Sequence, residues 1–477
     1  MNMTDLPIIA SSHVEWEGNT YALITTAATG EKKLVVSGDV SGFEGRAHDE
    51  SGALICPLTA ENAVHLRTRL PWLNPVPLGV QTSAGFGDRL GCATVGHLQA
   101  TQDTGVQPIL AQQSVRENSR TGRSPQNVVD DAMWGALEYG WREAWGADAD
   151  HLKTLDDIAP FVAAGYSFFT IDPGAHVDDD AGTYDVQTLR DKAATLNWAA
   201  LDSSPDDLIK RLSGVSVAGV DLDLSEAALL RAAVKYGAAV AHTLAMAGRI
   251  RKLMNGKSFD LEMSVDETGT TTSHTEHFYI VSELTRLGVP FVSIAPRFVG
   301  RFEKGVDYIG DLSALDADIA GHAAIMRHAG NGYKLSLHTG SDKFGVYPLA
   351  MQHTGGRVHL KTAGTSYLEA LRVMASVDVP LFRQVLDYAR ERYETDRKTY
   401  HVSGTLAKVP AAADLTDEQL PDLLNQFDAR QVLHVTYGSV LDAFGEQLRL
   451  MLKAHEAAYH AGLKAHFDKH LAAFKQG

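Results

Sequence analysis

The sequence predicts a (β/α)8 TIM-like barrel with an N-terminal β-rich extension, an inserted helical segment and a C-terminal helix. Three observations lead there. Eight short apolar runs recur from residue 85 onward, each closing on polar, charged or glycine residues. Longer stretches with helical spacing separate most of them, and strands joined through helices pair in parallel. The ends of the runs gather ionisable side chains, as the C-terminal rim of a barrel does where a site is built.

Taken in order, residues 1–80 form the N-terminal element. Runs 21–26 (YALITT) and 33–37 (KLVVS) are β-rich and flank a turn containing Gly30, and Pro71, Pro75 and Pro77 punctuate the connection that follows. The barrel occupies 81–477. Its predicted strands are 85–91 (GFGDRLG), 107–114 (QPILAQQS), 167–173 (SFFTIDP), 259–267 (FDLEMSVDE), 290–297 (PFVSIAPR), 333–341 (YKLSLHTGS), 357–364 (RVHLKTAG) and 433–439 (LHVTYGS). The interval between the third and fourth is too long for one helix, so a helical insertion is expected around 175–255. Residues 440–474 read as one helix, with Leu441, Phe444, Leu448, Met451, Leu452 and His455 on one face. That face is either buried on the same chain or the seam of a homo-oligomer.

Composition bounds the function. Lys plus Arg number 43 and Asp plus Glu 59, a net charge of −16. An acidic surface is a poor partner for nucleic acid or an anionic membrane. Charged residues at 21% and hydrophobic residues at 44% describe an ordered globular chain. Two cysteines, Cys56 and Cys92, exclude a disulfide scaffold and an all-cysteine metal site, whereas 20 histidines supply ligands and proton carriers. The N-terminus has no basic, apolar leader and no window of transmembrane length occurs, so a cytoplasmic location is the expectation.

The strand-end rule selects the candidate site. Period-two alternation puts Lys334, Ser336 and His338 on one face of their strand, His359 and Lys361 on one face of the next, and His434 with Thr436 on one face of the last. The polar faces are expected to point into the barrel. In 259–267 the choice between Asp266 and Glu267 stays open. A carboxylate with two imidazoles suits a divalent ion such as Zn, Ni, Mn or Fe, and Glu267, His338 and His434 are the favoured set. His274 and His277 begin a helix, where they could face one site or cap it. Arg116, Arg120, Arg123, Arg297, Arg301, Lys304 and Lys343 follow strand ends, and their cationic groups suit a small anionic substrate. Gln113, Ser341 and Asp342 are polar strand-end residues expected to bind it. Other site types find little support. Gly85–Gly91 is one residue off the dinucleotide fingerprint and lacks its acidic partner, and no P-loop, GxSxG or HExxH pattern occurs.

Several long blocks carry a resemblance: GFGDRLGCATVGH, ILAQQSVRENSRTGRSP, GADADHLKT, SVDETGTTT, APRFVGRFEKGVDYIGD, LSLHTGSDKF, VHLKTAGTSYLEALR and QFDARQVLHVTYGSVL. Together they resemble the tagaturonate epimerase family from about residue 84 to the C-terminus. The resemblance implies interconversion of D-tagaturonate and D-fructuronate in hexuronate breakdown, with a divalent metal. The two sugars differ at a carbon β to both ketone and carboxylate, so its hydrogen is not acidic. Inversion then requires retro-aldol cleavage and recombination, or transient oxidation by a nicotinamide that the sequence gives no means to bind. Asp172 and Lys361 are expected to carry the acid–base work, with Glu267 beside them. Arg89, Arg297 or Lys343 is expected to hold the substrate carboxylate. The alternatives are a metal-dependent class II-type aldolase or aldose–ketose isomerase on the same barrel, and a non-catalytic carbohydrate sensor.

Overall fold

The computed structural model describes residues 6–26, 30–48 and 52–475. Its N-terminal strands are β1 (Val14–Trp16), β2 (Asn19–Thr25), β3 (Lys32–Ser37), β4 (Arg46–Ala47) and β5 (Leu54–Cys56). They form an antiparallel sheet in the order β1-β2-β3-β5-β4. Residues 27–29 of the expected turn lie outside the described residues, while Gly30 closes it with φ of 60°. Alternation puts Tyr21, Leu23, Leu34 and Val36 into the same buried cluster as the barrel helices, so the sheet shares the main core.

Eight parallel strands then close into a barrel. They are β6 (Ser83–Gly85), β7 (Gln107–Ser114), β8 (Gly146–Leu152), β9 (Phe168–Ile171), β10 (Asp260–Ser264), β11 (Ser293–Ala295), β12 (Lys334–Leu337) and β13 (Val358–Lys361), which returns to β6. The barrel expected from the sequence is therefore present, with six of its predicted strands in place; of the first, 85–91, only Gly85 belongs to a strand. The eighth is a correction. Residues 433–439 are not a strand but the junction of the helices Phe427–Val435 and Tyr437–Ala454. All of Asp428–Val435 is buried, so its apolar residues mark no single face and the short β-branched run misleads. The true missing strand is β8, GADADHL. Its outward residues Ala147 and Ala149 are too small to make an apolar run, yet they pack on the helices while Asp148 and Asp150 turn inward.

Two further expectations change in detail. The first strand ends at Gly85, and the following loop is held by Asp88, whose carboxylate accepts from the N–H groups of Leu90, Gly91 and Ala93 at 3.0, 2.8 and 2.8 Å. The C-terminal helix breaks at His455, giving Tyr437–Ala454 and Glu456–Leu471. Of the expected apolar face, Leu441, Leu448, Met451 and Leu452 are buried on the chain itself, Phe444 is half-buried and His455 is exposed. Between β9 and β10 run the helices Val186–Ala194, Pro205–Leu212 and Glu226–Met254. Among the described residues no helix is long and apolar enough to cross a membrane.

Candidate active site at the barrel mouth

Most barrels of this kind are filled by branched apolar side chains. This one is filled by polar groups. At the bottom, Lys334 Nζ donates to Ser83 Oγ at 2.7 Å, and His359 Nδ1 lies 2.9 Å from the same hydroxyl. At mid-height the Lys361 ammonium meets Asp148 Oδ2 and Asp150 Oδ1 at 2.8 Å and Glu262 Oε1 at 3.0 Å. It also donates to Thr170 Oγ1 at 2.6 Å. Glu262 Oε2 accepts from Ser293 Oγ at 2.5 Å.

Above this layer β8, β10 and β12 end together. His338 Nε2 lies 2.5 Å from Glu262 Oε1, and its Nδ1 lies 3.1 Å from Asp266 Oδ1. His151 has φ of 54°, an uncommon left-handed backbone for a non-glycine residue. This turns its ring toward His338, with centroids 5.0 Å apart, while Nδ1 lies 2.8 Å from Asp150 Oδ1. The order of charges follows. Burial disfavours an ionised Lys361, but its three carboxylate partners hold its pKa well above the lysine range. Burial pushes Asp148 up to about 7 against the pull of Lys361. His151 stays well above the ordinary histidine value in spite of burial, because Asp150 faces it.

Two spaces open here. An outer cleft of about 290 Å³ is lined by Asp266, Glu267, Arg297, Lys304, His338 and Tyr400. Beneath it, a chamber of about 30 Å³ is lined by Gln112, Asp150, His151, His338, Lys361 and His434. The chamber has roughly the volume of one water molecule, about 30 Å³. It suits an ion, a solvent molecule or one polar group of a small sugar held in the cleft, with which it shares Lys304, His338 and Thr339. The donors fit a divalent ion. One ligand atom from each of Asp150, His151 and His338 falls within 4.8 Å of the others, and buried His151 Nε2 makes no hydrogen bond. His434, on the helix Phe427–Val435, is 1% exposed with both ring nitrogens unbonded. Burial first, and then the cations Arg89, Lys304 and Arg430, hold it well below the usual histidine value, so it is a neutral imidazole.

A family model described as tagaturonate epimerase matches residues 10–474. The chain belongs to the tagaturonate epimerase family. It is accordingly an isomerase of the carbohydrate-epimerase type. It is 40% identical over 463 residues to the tagaturonate/fructuronate epimerase of Thermotoga maritima, covering 95% of this chain and 94% of that one. It is also similar to crystal structures of the fructuronate-tagaturonate epimerase of Cohnella laeviribosi. A one-glycerol complex gives a TM-score of 0.92 at 35% identity, covering 99% of this chain and 97% of that one. The native form gives 0.91 at 35% identity, covering 98% and 96%.

In this tagaturonate epimerase family member the expected site residues divide. His338, Lys361, Ser341 and His434 line the chamber, and Glu267 and Arg297 line the cleft. Glu267, His338 and His434 do not form one ligand group. Among the described residues the groups at this mouth are Asp150–His151–His338 and His151–Asp172–Glu267. Asp172 stands at the rim, accepting from Gly174 N–H at 2.9 Å and pairing with Lys153 at 3.0 Å. Of the Asp266–Glu267 pair, Asp266 contacts His338, while Glu267 faces Arg116 at 3.6 Å. Arg89 is engaged by Glu117 at 2.6 Å and lies over the Tyr437 ring, leaving Nη1 unbonded.

Three expected substrate ligands serve the scaffold instead. Gln113 Oε1 faces Arg123, and the chamber receives Gln112 in its place. Asp342 pairs with Arg430 and His466 at 2.8 and 2.9 Å. Lys343 Nζ donates to the carbonyls of Glu303, Val306 and Ser341, which fixes the loop bearing Lys304. Sequence reasoning missed Asp148, Asp150 and His151 because they ride on the unrecognised strand. The alternation Ala-Asp-Ala-Asp was the available signal.

Proposed function

We propose that the chain interconverts D-tagaturonate and D-fructuronate by retro-aldol cleavage and recombination. The observation that carries this reading is one chamber faced by a neutral imidazole, His434, and a charged ammonium, Lys361. Groups whose surroundings push their proton affinities apart are an acid–base pair. With the ketone at C2, the carbon to be inverted is C4. His434 accepts the C4 hydroxyl proton. The C3–C4 bond then breaks, its electrons pass into the C2–C3 enediolate, and C4 becomes an aldehyde. The aldehyde turns over, C3 attacks its other face, and Lys361 returns a proton to the new alkoxide. The reverse direction uses the same groups with their tasks exchanged.

Asp150, His151 and His338 would hold a divalent ion, with Glu267 on the cleft side of His151. Such an ion, when bound, supplies positive charge opposite oxygens that become negative. Lys304, whose Nζ donates to Thr339 Oγ1 at 2.9 Å, carries the positive charge of the cleft together with Arg297 and Arg301, and these cations suit the substrate carboxylate. Asp172, held by Lys153 and Gly174, is assigned to keeping the rim in shape. Purified protein is incubated with D-tagaturonate with and without a chelator, and D-fructuronate is followed by chromatography. Conversion that stops on chelation is expected. Conversion indifferent to chelation removes the ion. Accumulation of free aldehyde and ketone fragments would make the chain an aldolase.

A further inference from the structure

A second set of histidines lies outside the barrel and takes no part in the reaction proposed above. The helices His274–Arg286 and Leu312–His328 follow β10 and β11 and pack side by side. His274 brings Nε2 to 3.0 Å from the Asp318 main-chain carbonyl and 3.4 Å from Asp318 Oδ1, and His322, one turn along from Asp318, brings Nε2 to 3.5 Å from the same carboxylate oxygen. All three ligand atoms fall within 4.8 Å of one another. Ligand atoms bound to one tetrahedral ion at about 2.0–2.1 Å stand about 3.3–3.4 Å apart, close to the separations from Asp318 seen here.

The surroundings also fit. His322 is fully buried and its Nε2 makes no hydrogen bond, an unmet polar atom that burial makes costly. The other oxygen of Asp318 is already used, since Oδ2 accepts from Val299 N–H at 3.0 Å. His322 Nδ1 lies 2.8 Å from His277 Nδ1, and His277 Nε2 lies 3.0 Å from the Tyr333 hydroxyl. If the lone pair of His322 is on Nε2, its Nδ1–H donates to His277 Nδ1, and His277 Nε2–H donates to Tyr333. The buried chain is thus satisfied in the tautomer that bares Nε2 toward Asp318. Such outer donors orient metal-bound histidines.

We propose that His274, Asp318 and His322 form a second divalent-metal site, structural in role and of the zinc class, apart from the barrel mouth. Two imidazoles with one carboxylate favour zinc over the oxygen-seeking magnesium and calcium. His274 is part exposed, so water has access to the fourth position. The site bears on the loop that lines the cleft. Asp318 holds Val299, the Phe298 ring packs on His322 at 5.3 Å, and the same loop carries Arg297 and Lys304.

The test is a zinc count. Wild type, His274→Gln and Asp318→Asn are stripped with chelator, reloaded with zinc, desalted and measured by mass spectrometry, with circular dichroism to confirm folding. Each variant is expected to hold one zinc fewer per chain than wild type, and added zinc should raise the wild-type Tm more than that of His274→Gln. Equal zinc in wild type and folded His274→Gln overturns the proposal. Should Asp318→Asn fail to fold, His274→Gln decides alone, because its ring lies at the surface edge.

Discussion

A buried imidazole with no hydrogen bond is costly, because each unmet polar atom forfeits about 1–3 kcal/mol of hydration. His434 carries two such atoms, and nothing in the packing requires them. A leucine side chain, which reaches less far toward Gly364 than the imidazole, removes that cost. His434→Leu should therefore fold with stability within about 1 kcal/mol of wild type, while kcat falls about 100-fold or more, the range for a lost general base. Denaturant titration and steady-state kinetics read the two effects, and metal content should stay unchanged. A variant that keeps its turnover removes His434 from proton transfer, and one that loses its metal makes it a ligand. The inward aim of His338 and Lys361 was legible from period-two alternation alone. The inward aim of His434 was expected for the wrong reason, since a helix and not a strand delivers it.

At the scale of elements, close approach decides the geometry of the chamber. The helix Thr365–Val377 starts from Gly364, whose φ is 95°, and a Cβ there would overlap His434 Nε2 and crowd Arg89. Gly364→Ala combines a left-handed backbone that alanine resists with a clash against the proposed base. It should cost on the order of 2 kcal/mol and lower kcat with it. Thermal unfolding and kinetics check this, and a variant with unchanged Tm and kcat would show that His434 has room to move. The strands reveal a related limit of sequence reading. β12 and β13 announce themselves through large apolar residues that meet the outer helices. β8 meets its helices with alanines, so the strand delivering Asp148, Asp150 and His151 lacks the usual signal. The loop after β12 was read as substrate-facing, but the C-terminal helix turns Asp342 toward His466, a pairing 124 residues away in sequence.

Across the whole molecule, burial fixes the charge of many histidines and so sets the response to acid. Burial pushes His97 and His470 down to about 4, against an ordinary value of 6.5. The unfolded chain binds protons that these folded sites refuse, so stability falls as pH drops from about 6.5 toward 4. Each such site costs about 2 kcal/mol at pH 5. A substitution isolates one contribution. His97→Gln can keep a hydrogen bond to Ser366, which His97 Nε2 meets at 2.7 Å. Between pH 7 and pH 5 it should lose about 2 kcal/mol less stability than wild type, measured by urea unfolding. Equal losses would mean that His97 takes up a proton while folded.

The sequence by itself determined the barrel, the inserted helices and the polar inward faces of β12 and β13. Each of these rests on local periodicity, which a chain carries in its own order of residues. Only the tertiary structure decided which eight segments close the ring, which of the strand-end groups converge, and which are spent on holding loops. Those outcomes depend on contacts between residues far apart in the chain. Lys361 gains its charge from Asp148, Asp150 and Glu262, and Lys343 is consumed by carbonyls of a distant loop. Distance and burial between such partners set their chemistry, and neither quantity is written in a single segment.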